Sequence, residues 1–144
     1  MLAYKGLTSE SIAVYTAALE RLPASGKLLR QYAHRYFNLR EFDHSIKEAL
    51  RAAALYQSKP LEHEKLGPKY IPSTPDLVQF YLYYHLGQAC FAEHQFDKAA
   101  KVFGQARQIA LGMDDPGSVT AAVYREYLAL AHNQRHDDAG QLLD

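Results

Sequence analysis

The strongest constraint on this chain is that it repeats itself. Ser11 and Ser45, Tyr15 and Ala49, and Ala18 and Ala52 each stand 34 residues apart. They belong to a longer pattern, read most fully at Tyr83, Leu86, Gly87, Cys90, Phe96, Ala99, Phe103 and Ala106. The same offsets recur upstream at Leu29, Tyr32, Ala33, Tyr36, Phe42, Ser45, Ala49 and Ala52. A half copy precedes them at Ser11, Tyr15, Ala18 and Pro23, and a weaker copy follows at Val123, Tyr127, Leu130, His136, Ala139 and Leu143. A fixed period of this length means that one small unit is used several times. Such a unit cannot bury its apolar face alone, so the copies must stack to make a continuous core.

The unit is helical. In Ser11–Leu22 the apolar residues Ile12, Tyr15, Ala18, Leu19 and Leu22 recur at three- and four-residue steps, and Leu82, Leu86, Ala89 and Cys90 do the same in Leu77–Ala92. No stretch shows the sustained alternation of a strand. Breaks fall at Pro23–Gly26 and at Gly112–Gly117, where Asp115-Pro116 suits a helix N-cap followed by a first-turn proline. Four of the six prolines lie between Pro60 and Pro75, which predicts a loop or extended excursion over 57–76. About seven helices of ~10–15 residues follow from these breaks, an all-α chain with helices of ordinary length.

The aromatic-x2-Leu-Gly-x2-Cys run from Tyr83 to Cys90, followed by Phe96, Ala99, Phe103 and Ala106, resembles the tetratricopeptide repeat (TPR). Tyr83 stands for the family's Trp, Cys90 for its Tyr, and Leu111 where a closing proline is common. The resemblance implies a TPR-like α-solenoid of stacked antiparallel helix pairs. The expected organisation is one domain: a half repeat or capping helix over 8–25, a repeat over 26–56, the Pro-rich inserted loop over 57–76, a repeat over 77–113 and a degenerate final repeat over 118–144. Gly87 and Ala33, with Ala99 and Ser45 opposite, would allow close approach of paired helices. The step from Phe42 to Phe96 is 54 residues, and that from Phe96 to His136 is 40; the surpluses lie between repeats. Either the two ends are caps or the chain is part of a longer array.

In the family the first helix of each pair lines a concave face that binds a peptide or another protein. By position, the resemblance implies Lys27, Arg30, His34 and Phe37 in the first full repeat, and Tyr81, Tyr84, Gln88 and Phe91 in the next. The final copy offers Tyr124, Arg125 and Leu128. Aromatics and arginine dominate interface energies, so this surface suits protein recognition. Phe80 and Tyr83 are expected to pack, because the Phe80–Tyr84 run cannot face one way on a helix. Tyr81 and Tyr84 share another face, where they line a groove or pack against the chain's own Pro-rich insertion. Some chaperone adaptors of the family grip a C-terminal carboxylate with Lys and Asn. The corresponding positions here are Arg30, His34, His85, Ala121 and Arg125, so both Asn and one cation of that clamp are missing. Arg30 then reads as a solvated helix residue.

Other chemistry is thin. His132 and His136 are four apart, as helical zinc ligands are, but His136 falls at an expected turn. His63-Glu64 lacks a second His. Cys90 reads as a core thiol. No phosphate loop, nucleophile elbow or carboxylate pair is present, so no enzyme, cofactor or metal is expected. The 16 basic and 16 acidic side chains cancel, which argues against nucleic acid and anionic membranes as partners. No apolar run approaches the ~20 residues of a bilayer span. One cysteine and no signal-like start predict a reducing, cytoplasmic setting. Residues 1–58 carry 8 basic and 5 acidic groups and residues 80–144 carry 5 and 8, an asymmetry that allows head-to-tail self-association. A protein- or peptide-binding scaffold is the first reading. The alternative is a regulatory or sensory segment of a larger protein that contacts a neighbouring domain or a small ligand.

Overall fold

The computed structural model describes residues 6–63 and 77–144. Most of the Pro-rich stretch expected at 57–76, and with it any contact between that stretch and a groove, lies outside the described residues. Seven helices are present among the described residues: α1 (Thr8–Arg21), α2 (Gly26–Asn38), α3 (Phe42–Tyr56), α4 (Val78–Ala92), α5 (Phe96–Met113), α6 (Pro116–His132) and α7 (His136–Gln141). They fall into two compact units, Met1–Pro60 and Leu61–Asp144. Within each unit every helix packs on the next one in chain order.

One turn is used again and again. Arg40, His94 and Gln134 each take a left-handed backbone, with φ of 60°, 59° and 58°. The residue after each donates its N–H to a carbonyl five positions back: Glu41 to Tyr36 at 3.0 Å, Gln95 to Cys90 at 2.9 Å and Arg135 to Leu130 at 2.9 Å. This closes the C-terminal carbonyls of α2, α4 and α6 as a Schellman motif does. The three left-handed residues are separated by the same 54 and 40 residues that separate Phe42, Phe96 and His136. His136 is therefore the first residue of α7 and not part of the turn, which corrects the sequence expectation. Gly6, with φ of 77°, stands 34 residues before Arg40. Leu7 after it has φ −93° and ψ 60°, matching Glu41 at −86° and 68°. Helix α1 is thus entered like the second helix of a pair.

Small residues set the spacing between helices. Ser11, Ser45, Ala99 and Ala139 occupy the equivalent place on α1, α3, α5 and α7, and all four are buried, at 6%, 3%, 0% and 2% exposure. Ala52 and Ala106 are fully buried in the same way. At Gly87 a Cβ would lie 2.6 Å from the Phe103 ring, so α5 approaches α4 more closely than any side chain there would permit. Phe103 fills that space completely buried, a contribution of about 2–3 kcal/mol from burial.

In the first unit, Gly26 plays a comparable part at the start of α2, where a Cβ would meet the Tyr56 ring at 2.5 Å. Ser25 caps α2 by accepting the Leu28 N–H at 3.3 Å. The helix breaks move slightly from their sequence positions. Helix α5 runs through Gly112 to Met113, and the chain turns at Asp114, whose φ is 53°. Asp115 then caps α6 with Pro116 in its first turn, as its sequence implies.

Candidate functional site

The core of the second unit positions its surface aromatics. Leu77, Phe80, Ala106, Ala110, Met113 and Ala122 form a buried cluster drawn from α4, α5, α6 and the residue before α4. Tyr81, Tyr83 and Tyr84 pack against that cluster while keeping part of their surface open. The start of α4 is held by Glu62, in the described first part of the Pro-rich stretch. Val78 donates its N–H to the Glu62 carbonyl at 2.8 Å, and Glu62 donates its own to Gln79 Oε1 at 2.9 Å. Gln79 is buried, and this bond satisfies its carbonyl oxygen.

A groove of about 340 Å3 opens beside these aromatics. One wall is α4, with Phe80, Tyr81, Tyr84 and His85. The other is the entry to α6, with Asp115, Gly117, Ser118 and Ala121. The rings form a corner. Phe80 and Tyr84 stack at 5.7 Å and 22°, and Tyr81 and His85 stack at 6.2 Å and 20°. The two pairs stand nearly at right angles, 76° between Phe80 and Tyr81 and 76° between Tyr84 and His85. Tyr84 is backed by Phe103, edge-on at 5.9 Å, so its ring is anchored in the core. Opposite, the Asp115 carboxylate accepts from Gly117 N–H at 3.2 Å and from the Ser118 hydroxyl at 2.6 Å. That fixes it at the groove's edge.

The structure thus brings Tyr81 and Tyr84 together with His85 and Ala121, two positions read in sequence only as members of a missing carboxylate clamp. Asp115 and Ser118 were not among the expected site residues. Their signal was the capping sequence Asp-Pro-Gly-Ser, which marks a helix start but not what the start faces. Gln88 lies a turn beyond, its Oε1 2.9 Å from His85 Nδ1. It steadies the His85 ring rather than lining the groove. Phe91 lies further along α4, where it packs edge-on to Phe96 at 5.1 Å and to His132 at 5.2 Å, in an aromatic seam at the helix turn. Tyr124 is exposed and Arg125 half-buried on later turns of α6, outside the groove.

In the first unit, Lys27, His34 and Phe37 are half-buried on α2. Arg30 is buried at 5% exposure, so its reading as a solvated helix residue is overturned. An arginine stem is long enough to lie along apolar surface, and periodicity alone does not show this. His34 Nδ1 is 3.2 Å from Arg35 Nη2, and the Phe37 ring meets Phe42 edge-on at 5.4 Å. Across α1 and α2, Thr16, Tyr32 and Tyr36 share hydroxyl hydrogen bonds of 3.2 and 3.1 Å. The bond from Tyr32, with burial adding to it, pushes the Tyr36 phenol up to about 12.

A second cleft, of about 410 Å3, lies among α5, α6 and α7 and includes Lys101, Glu126, Arg135 and Asp138. Its charges are already paired: Arg107 Nε donates to Glu126 at 2.7 Å, and Arg135 Nε donates to Asp138 at 2.8 Å. Cys90 is buried in α4, and burial pushes its thiol up from the ordinary range. Among the described residues no three His, Cys, Asp or Glu side chains come together in a way that could hold a metal. No helix among them is long and apolar enough to cross a membrane.

No protein-family model matches the sequence, and no curated protein matches it. Solved structures do. Two crystal structures of a Podosopora anserina protein described as a kinesin light chain with nearly identical TPR-like repeats, one of them a point variant, align over 99% of this chain and 66% of theirs. Their TM-scores are 0.65 and 0.63, at 16% and 15% identity. This chain therefore spans just under two thirds of their length. The crystal structure of MamA aligns over 98% of this chain and 87% of its own, with a TM-score of 0.55 at 15% identity. At such identities the likeness is one of fold. It agrees with the shared turns and the small-residue register: the chain has the tetratricopeptide-repeat fold, an all-α, TPR-like α-solenoid of stacked antiparallel helix pairs.

Proposed function

We propose that this chain is a non-catalytic scaffold that binds another protein or a peptide, with the groove between α4 and the entry of α6 as its docking place. The observation that carries this reading is the groove itself. Partly open aromatic rings are held in a fixed corner by a buried core, and rigid aromatics are the side chains from which interface hot spots are made. The exposed Tyr124, with Arg125 and Leu128, extends the surface along α6. Lys27, His34 and Phe37 on α2 offer a second contact surface, with buried Arg30 supporting it. The work is done in a reducing, cytoplasmic compartment, in keeping with a single buried thiol.

The test is a peptide array probed with the wild-type chain and with Tyr81→Ala and Ala121→Arg variants. Docking in the groove predicts that both variants lose the peptides that the wild type retains. Full retention by both would remove the groove from consideration.

A second reading has one observation in its favour. A groove of about 340 Å3 lies within the range that small ligands occupy. A sensory segment holding a small molecule would therefore use the same residues. A metabolite screen by thermal shift separates it from peptide docking.

A further inference from the structure

The groove is built for one kind of charge. Four aromatic rings in two crossed pairs line one side, and a carboxylate stands on the other. Aromatic faces carry a negative quadrupole, so a cation placed against them is attracted, and more so as water is excluded. Among the described residues, no lysine or arginine lines the groove. Residues 80–144 carry 8 acidic against 5 basic groups, which adds a mild attraction for positive partners.

The Asp115 carboxylate decides the sign. A helix N-terminus alone favours an anion, but here Asp115 already occupies that role by accepting from Gly117 and Ser118. A carboxylate has about four lone-pair sites. Two are used in capping, which leaves acceptor capacity for a donor arriving in the groove. The planar guanidinium of arginine both stacks on aromatic faces and meets a carboxylate through paired N–H donors.

We propose that the groove selects a cationic side chain, arginine above all, from the docked peptide. The ring corner of Tyr81, Tyr84 and His85 would take its face, and Asp115 its N–H donors. This rests on the docking reading above and adds the chemical class of the residue recognised.

The experiment is an amide-resolved NMR titration of the full chain with three capped tripeptides, acetyl-Gly-X-Gly-amide, where X is arginine, citrulline or glutamate. Citrulline keeps the shape of arginine and lacks its charge. The arginine probe is expected to shift the amides of residues 80–85 and 115–121, with an affinity about tenfold above that of citrulline and no response to glutamate. Asp115→Asn keeps a good N-cap, so the fold stays intact. It should bring arginine down to the level of citrulline. Tyr81→Leu, a second variant on the opposite wall, should weaken arginine more than citrulline. Equal arginine and citrulline binding, or a glutamate preference, at these amides would overturn the charge selection and leave the docking reading standing. No response of these amides to any of the three would overturn both.

Discussion

Gly87 and Phe103 share one space: a methyl group at residue 87 would stand 2.6 Å from the edge of the Phe103 ring. The equivalent pair 54 residues earlier is Ala33 and Ala49, both buried. The two hairpins therefore fill the equivalent positions differently, with glycine against a large ring in one and two small residues in the other. Gly87→Ala should destabilise the second unit by about 1–3 kcal/mol through overpacking. Adding Phe103→Ala recreates the pair of the first hairpin, and the double variant should cost less than the sum of its parts. Urea unfolding of the four proteins measures both effects. Simple additivity would show that the two residues do not constrain each other.

The repeated turns carry conformational strain that glycine would relieve. Arg40 and Gln134 hold left-handed backbone angles at exposed positions, which costs a residue with a Cβ about 1–2 kcal/mol. Glycine also gains entropy in the unfolded chain, which offsets part of the benefit. Arg40→Gly and Gln134→Gly should each raise stability by about 0.5–1 kcal/mol. Gln134→Val should lower it. Thermal unfolding followed by circular dichroism reads the order of the three.

Glu126 joins α6 to α5. It accepts from Arg107 Nε at 2.7 Å with only 11% of its side chain exposed, and Gly104 leaves room for it, since a Cβ there would lie 3.2 Å from Glu126 Oε1. Removing the acid leaves a largely covered guanidinium without its acceptor. Glu126→Ala should cost about 1–3 kcal/mol in chemical unfolding, and Glu126→Gln, which keeps the shape and one acceptor, clearly less. Equal losses would mean that the charge, and not the shape or a neutral acceptor, carries this contact.

Asp97 links α5 to the start of α7. Its hydrogen bond and charge interaction with Lys101, with Arg135 adding to them, hold the carboxyl below the usual aspartate range. A carboxyl with a lowered folded value contributes stability that is fully present above its unfolded value of 3.8 and is lost as pH falls through the folded value. The Asp97 side-chain carbonyl resonance should therefore titrate later than that of a free aspartate on acidification. Lys101→Ala should move its midpoint upward. A midpoint unchanged by that variant would assign the effect elsewhere.

Cys90 is 3% exposed, and its burial raises the thiol's pKa, so little thiolate exists or is reachable at neutral pH. Native protein should react with a thiol reagent far more slowly than a free cysteine. The rate should rise to the free-thiol value only where denaturant unfolds α4. Rapid labelling of the native chain would contradict the placement of Cys90 in the core.

Much of the fold was legible because close helix packing constrains single positions. Ser45, Ala99 and Ala139 are small where two helices touch, and Ala52 and Ala106 are small and fully buried; their spacing alone exposes the repeat. Asp115-Pro116 announced a helix start for a purely local reason, a capping side chain followed by a residue with fixed φ. Other features left no such trace. The left-handed residues are Arg, His and Gln rather than glycine, so the shared turn was hidden, and His136 was placed one step outside its helix.

The sequence by itself determined that this chain is a series of helical pairs in one register, because residue size at each interhelical contact is a local requirement that every copy must meet. Only the tertiary structure decided which side chains share a surface. It set Asp115 and Ser118 across from Tyr81 and Tyr84, buried Arg30 along α2, and drew Phe91 into a seam with Phe96 and His132. Those neighbours come from different helices, and their meeting depends on how one helix lies against another, a relation that spacing along a single chain does not contain.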